Sequence, residues 1–240
     1  MQAQHRKSLD DPEGGVETPL TPVLEQYSKR FLENRLWNNP SLSPRDRSIV
    51  TVAALVATTQ TASMPEQVAL ALDNGVKPSE LSELVAHLSL YTGLANGNAA
   101  AVVMRKVFAE RGVAADQMAP ATAELLPLNE AAEATRAARV AKNLGIQFQE
   151  LQDLTTDVLF KDLWLRPALA PKDRSLVTVS ALVSTGRTAQ LTSHINLGMD
   201  NGLTDGQIAG AITHLAFYTG WPNAMSAVTV ANEVFEKRRG

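Results

Sequence analysis

The sequence predicts an all-α protein built from two tandem, pseudo-equivalent helical-bundle domains. Three observations carry that expectation: an internal duplication, helix start and stop signals at matching places in each copy, and the lack of any clean alternating apolar pattern. SPRDRSIVTVAALVATTQTA (43–62) matches APKDRSLVTVSALVSTGRTA (170–189), LDNGV (72–76) matches MDNGL (199–203), and HLSLYTGLAN (87–96) matches HLAFYTGWPN (214–223). Every pair is offset by 127 residues. The register runs without a gap from Trp37/Trp164 to Phe108/Phe235, with about 30 identities over 72 positions. Two copies of a long unit suggest two like folds packed together rather than a solenoid.

Each element then follows from local chemistry. Pro44 suits the first position of a helix, with Ser43 before it as N-cap and Asp46 in the first turn. The run after it, SIVTVAALVATT, is β-branched enough to pass for a buried strand, but its length and start signals favour a buried helix. PEQVALALDNG and TSHINLGMDNG read as short helices, each closed by a glycine (Gly75, Gly202) placed for a left-handed cap. Thr204 and Gln207 form a capping box ahead of IAGAITHLAFYTG, where Ile208, Ala211, Leu215 and Tyr218 recur at helical spacing. A last helix from about Pro222 to Glu236 ends in KRRG, cations at the negative end of its dipole. Segments 22–38 and 130–163 add helices ahead of each core. The expected organisation is a disordered tail over 1–20, a first repeat over 21–112, an Ala- and Pro-rich linker over 113–129, and a second repeat over 130–240.

Composition narrows the function. With 45% hydrophobic residues, 20% charged residues and a net charge of −3, the chain is ordinary for a soluble protein. It presents no basic excess for nucleic acid or an anionic membrane. The absence of cysteine removes disulfides and thiol chemistry and suits a reducing, cytoplasmic setting. No apolar stretch reads as a signal peptide or a membrane span. No phosphate loop, nucleophile elbow or dinucleotide fingerprint is present. His194 and His214, twenty residues apart with no carboxylate at ligand spacing, make a weak metal site.

The DRSLVTVSAL helix, the GR turn, the SHI helix ending in DNG and the HLAFYTGWPNA block resemble the carboxymuconolactone decarboxylase family. The resemblance covers about 37–110 and 164–237, in the same order in both copies. It implies an all-α bundle, assembly into a ring of about six domains (here a trimer of tandem chains), and loss of CO2 from a small anionic cyclic or unsaturated acid in aromatic-compound breakdown, with no cofactor. A peroxidase branch of this family uses a Cys-x-x-Cys pair. The matching positions here hold Arg187 and Gln190, so that chemistry is excluded.

Decarboxylation without a cofactor needs an anchor for the substrate anions, a stabiliser for the enolate, and a proton donor. His194 is the expected donor, since an imidazole with a pKa of about 6.5 exchanges a proton at neutral pH; a half-buried structural histidine is the plainer alternative. The first copy has Gln67 there, which cannot exchange a proton, and Glu66 beside it reads as a solvated carboxylate. His214 and Tyr218 share a helix face at i and i+4 and are expected to stabilise the enolate oxygen. Both recur, as His87 and Tyr91, which suits packing equally well. Arg187 stands where the first copy has Gln60; the resemblance makes it a carboxylate anchor. Trp221, replacing Leu94, is expected to wall a ring-like substrate or to fill core. Arg174, repeated as Arg47, is either a substrate contact or a salt-bridging residue beside the capping Asp173. A member that binds small molecules or acts as an oligomeric scaffold, without catalysis, is the alternative function.

Overall fold

The computed structural model describes residues 20–240, so nearly all of the tail expected over 1–20 lies outside the described residues. The chain divides into two compact units, one reaching Asn38 and the other spanning Asn39–Gly240. In the described part of the smaller unit, α1 (Pro22–Tyr27) passes directly into a π-helical run, Ser28–Leu36.

The larger unit holds α2 (Pro44–Ala57), α3 (Met64–Asp73), α4 (Pro78–Thr92) and α5 (Leu94–Glu110). It continues with α6 (Glu130–Leu144) and α7 (Gln149–Leu154), the latter passing into a second π-helical run, Thr155–Phe160. It closes with α8 (Pro171–Ser184), α9 (Thr188–Asp200), α10 (Asp205–Thr219) and α11 (Trp221–Arg239). The last four helices repeat α2 to α5 at the offset of the duplication. Among the described residues there is no strand, and no helix is long and apolar enough to cross a membrane.

The ambiguous β-branched run is a helix, and its start explains why. Pro44 opens α2, and the Asp46 backbone N–H donates to Ser43 Oγ at 3.0 Å. Every residue from Arg47 to Ala57 is buried, so α2 is a core helix apolar on all sides rather than an amphipathic one. The hydroxyl of Thr51 turns back to the carbonyl of Arg47 at 2.9 Å, which satisfies it inside the core. The α10 capping box forms as expected, with Thr204 Oγ1 and the Gln207 side chain each accepting a backbone N–H at 3.1 Å. Gly75 and Gly202 end α3 and α9 with φ of 85° and 94°, a region open to glycine and costly for other residues.

The two repeats share a single hydrophobic core. Its centre is α2 against α8, where Ile49, Val52, Val177 and Val179 are fully buried. Each such side chain contributes about 1.5–3 kcal/mol by leaving water. Around this pair the repeats cross over: α10 packs on α2 of the first repeat as well as on its own α8, and α4 packs on α8 of the second as well as on its own α2. The linker is held at its middle by Arg166, which donates to the carbonyls of Pro120 and Ala121 at 2.7 and 3.0 Å.

Candidate active site

The crossing over of α4 and α10 decides which residues meet. His87 of the first repeat lies against α8 of the second. Its Nε2 is 2.7 Å from Thr178 Oγ1, and its Nδ1 is 3.3 Å from the Arg174 guanidinium. A guanidinium only donates, so Nδ1 is the bare nitrogen and Nε2 carries the proton, donating to Thr178. Thr178 in turn donates to the carbonyl of Arg174 at 2.8 Å. Complete burial, with the Arg174 charge added, holds His87 well below the usual imidazole range. His87 is therefore a fixed neutral residue.

Above His87 lies an aromatic stack. Tyr91 is 4.9 Å from the His87 ring, and its phenol oxygen accepts from Trp164 Nε1 at 2.9 Å. Burial pushes the Tyr91 phenol above its ordinary range. His194 on α9 meets both rings, edge-on to Tyr91 at 5.5 Å and stacked on Trp164 at 6.1 Å. Phe160, at the end of the second π-helical run, also stacks on Trp164 at 6.1 Å. π-helical turns often re-aim side chains at functional sites, and this one delivers Phe160 to that stack.

Trp164, Phe160 and His194 line a cavity of about 530 Å³ that is also lined by α6 and by the end of the linker at Leu126–Asn129. That volume suits a small organic molecule. His194 Nδ1 is buried with no hydrogen-bond partner. Burial, with the Arg139 charge added, lowers its pKa to about 4, so the imidazole is neutral at pH 7. Two cations on α6 face the cavity. Arg136 is fixed by Glu133 at 2.6 and 2.7 Å, by Thr156 at 2.8 Å, and by the face of Phe160 at 4.2 Å, while its Nη1 has no partner. Arg139 is exposed and, among the described residues, makes no hydrogen bond or ion pair.

The sequence-predicted residues are thus only partly brought together. His194 lines the cavity. His214 and Tyr218 do not, because α10 packs on α2; their counterparts His87 and Tyr91 stand behind His194 instead. His214 repeats the His87 arrangement with Thr51 at 2.8 Å and Arg47 at 3.4 Å, and burial with the Arg47 charge lowers its pKa to about 3. Arg187 is an exposed residue at the N-terminus of α9, outside the cavity lining. Trp221 is 55% exposed at the start of α11, packed edge-on against Phe217 at 5.0 Å, and also outside the lining. Arg174 is wholly buried and outside the cavity lining, its Nη2 donating to Glu83 at 2.7 Å and to the Arg166 carbonyl at 2.6 Å, so it holds the site from behind.

Four residues of the site escaped the sequence reading: Trp164, seen only as a repeat marker, and Phe160, Arg136 and Arg139, on segments read only in outline; Tyr91 enters it only as the repeat of Tyr218. Among the described residues no group of His, Asp and Glu could hold a metal ion.

Comparison with known proteins matches this architecture. The model of the carboxymuconolactone decarboxylase family fits residues 22–106 and 149–233. A 4-carboxymuconolactone decarboxylase of Acinetobacter baylyi is 34% identical over 98 residues, 41% of this chain and 73% of that protein. A nitrosuccinic acid decarboxylase of Metarhizium robertsii is 32% identical over 82 residues, 34% of this chain and 57% of that protein. A solved structure from Burkholderia xenovorans, described as a candidate gamma-carboxymuconolactone decarboxylase subunit, aligns over 92% of each chain at 19% identity with a TM-score of 0.49. With both repeats matched, over more than half of its length, the chain belongs to the carboxymuconolactone decarboxylase family as a tandem-duplicated member.

Proposed function

We propose that the chain is a cofactor-free decarboxylase that removes CO2 from a small organic acid bound in the cavity at His194. The observation that carries this reading is the convergence of His194, an aromatic wall and two arginines on one cavity of about 530 Å³. Both curated relatives quoted above are named as decarboxylases, which supports the reaction class.

In this reading the departing carboxylate faces the apolar wall of Trp164, Phe160 and the linker end. Its C–C bond breaks, CO2 leaves, and the electron pair passes into an adjacent carbonyl or nitro group. Arg136 Nη1, held in place before substrate arrives, donates to the oxygen that gains the charge; such preorganised donors give the largest electrostatic benefit. His194 then protonates the carbon. It starts neutral, and a bound anion stabilises its charged form, so a proton is taken up as the acid binds and is delivered in the reaction. The net change is one proton consumed and one CO2 released per acid.

The test is CO2 release from small acids, beginning with 4-carboxymuconolactone and nitrosuccinate, in the wild type and in His194→Ala. Loss of the positioned acid lowers turnover at least about 100-fold. A folded His194→Ala chain with near-wild-type turnover overturns the assignment. Assembly into a ring of tandem chains is part of the same reading, supported by exposed apolar side chains at Leu151 and Leu154 before the second π-helical run. Light scattering on the purified chain checks it.

A further inference from the structure

The charges lining the cavity do not balance locally. Arg136 is neutralised by Glu133, and Asp200 by Arg238 at 2.8 Å. Among the described residues that leaves Arg139 as the lining cation with no counter-ion. Its helix, α6 (130–144), lies outside both segments that match the family model, 22–106 and 149–233. The free cation is thus brought to the site by a helix beyond the shared repeat.

A decarboxylase gains nothing by pairing the departing carboxylate with a strong cation. The negative charge leaves that group in the transition state, so an ion pair there stabilises the ground state more and slows the reaction. A cation at the site is useful against the charge that develops on the acceptor oxygen, the part Arg136 takes, or against a charge that the substrate keeps. We infer that Arg139 is the specificity-determining residue of the cavity, holding a carboxylate retained through the reaction, so that the chain selects small acids with two anionic groups, one to anchor and one to lose.

The inference rests on the decarboxylase reading for the fate of the second group, but anchoring is measurable without turnover. The charged and titratable groups around His194 are Arg139, Arg136 and Glu133 on α6, Tyr91 and His87 on α4, and Asp200 on its own helix. Of these, Arg139 is the charge that adds to burial in lowering the His194 pKa to about 4. An anion on Arg139 cancels that charge, so binding is coupled to proton uptake at His194.

Succinate, an inert small dicarboxylate, is the probe, titrated calorimetrically into the full chain. Arg139→Gln weakens succinate binding at least about tenfold, the scale of a lost charge-assisted contact. Arg139→Lys restores part of it, and thermal unfolding does not change. By NMR, succinate raises the His194 pKa in the wild type. Arg139→Gln raises it without ligand and removes the further rise. Wild-type succinate affinity in Arg139→Gln, or a His194 pKa that ignores both changes, overturns the inference. A chain that binds succinate through Arg139 but releases CO2 from no acid fails the decarboxylase reading alone. An active chain whose Arg139→Gln variant keeps the KM of its acid fails this inference alone.

Discussion

Around His87 and around His214 the chain builds the same small ring of hydrogen bonds. In each, an arginine faces Nδ1, Nε2–H donates to a threonine, and the threonine donates to the arginine's own carbonyl. The surroundings differ. Behind His87, Glu83 binds Arg174 at 2.7 Å and Arg166 at 2.8 and 3.1 Å, forming a buried charged lattice that also fastens the linker. The residue matching Glu83 in the second repeat is Gly210, and the one matching Arg166 in the first is Asn39. Arg47 there is held by the Asn39 carbonyl and Ser41 Oγ, and Ser41 packs where a Gly210 side chain would go. The first cluster is stiffened by ions and carries His194 in front. The second is closed by neutral groups, and on α3 of the first repeat Gln67 stands at the position that matches His194, with a buried Oε1 that has no partner. In the decarboxylase reading proposed above, the first arrangement backs the working site and its twin serves as scaffold.

The largest expected effect breaks the lattice. Glu83→Ala leaves Arg174 buried without its carboxylate, and removing one partner of a buried ion pair costs about 3–5 kcal/mol; urea unfolding reads this directly. Next is the histidine itself. His194→Gln writes the residue of the first repeat into the second and lowers turnover as far as His194→Ala, about 100-fold or about 2.7 kcal/mol in the barrier, in the CO2 assay. Gly210→Ala follows: its Cβ would lie 2.9 Å from Ser41 Cβ, so the scaffold cluster must shift, at about 1–3 kcal/mol in thermal unfolding. Equal tolerance at 83 and 210 would dissolve the contrast.

The smallest effect is in pH dependence. His87 and His214 titrate below 6.5 when folded, so the unfolded chain binds more protons below that pH. Their stabilisation is full above pH 6.5 and is lost as pH falls, for His214 toward about 3. Burial alone would raise Glu83, but Arg166 and Arg174 hold it below 4.5, so its contribution also fades only under acid. The urea midpoint therefore declines below pH 6.5 and steepens below about 4.5, and Glu83→Gln removes the second, steeper part.

The helices were legible because their signals are local. Ser43, Pro44, Thr204, Gln207 and the glycines at 75 and 202 act within a few residues of themselves. His194 was legible because the repeats differ there. The partners of His194 were not, since the offset aligns His214 with His87 but says nothing about which helix each one packs against. Arg139 left no signal either, because an arginine on the polar side of an amphipathic helix looks like any solvated charge until a cavity lies under it. Arg187 is a different case: the resemblance gives its position, but which cavity the head of α9 borders depends on packing, and there Arg187 is exposed and outside the cavity lining.

The crossed-over helices have a consequence for how this chain can change over time. In a pair of identical single-repeat chains, any substitution would fall on both sites at once, and a damaging one would have no intact copy to fall back on. Joined end to end with α4 packed across onto α8, the first half lends Tyr91 to the stack at His194 of the second, so the first half cannot be discarded. Yet each position can now be altered in one place only. A glutamine at position 67 leaves His194 in place, and an arginine-bearing helix can be fitted over one cavity without burdening the other.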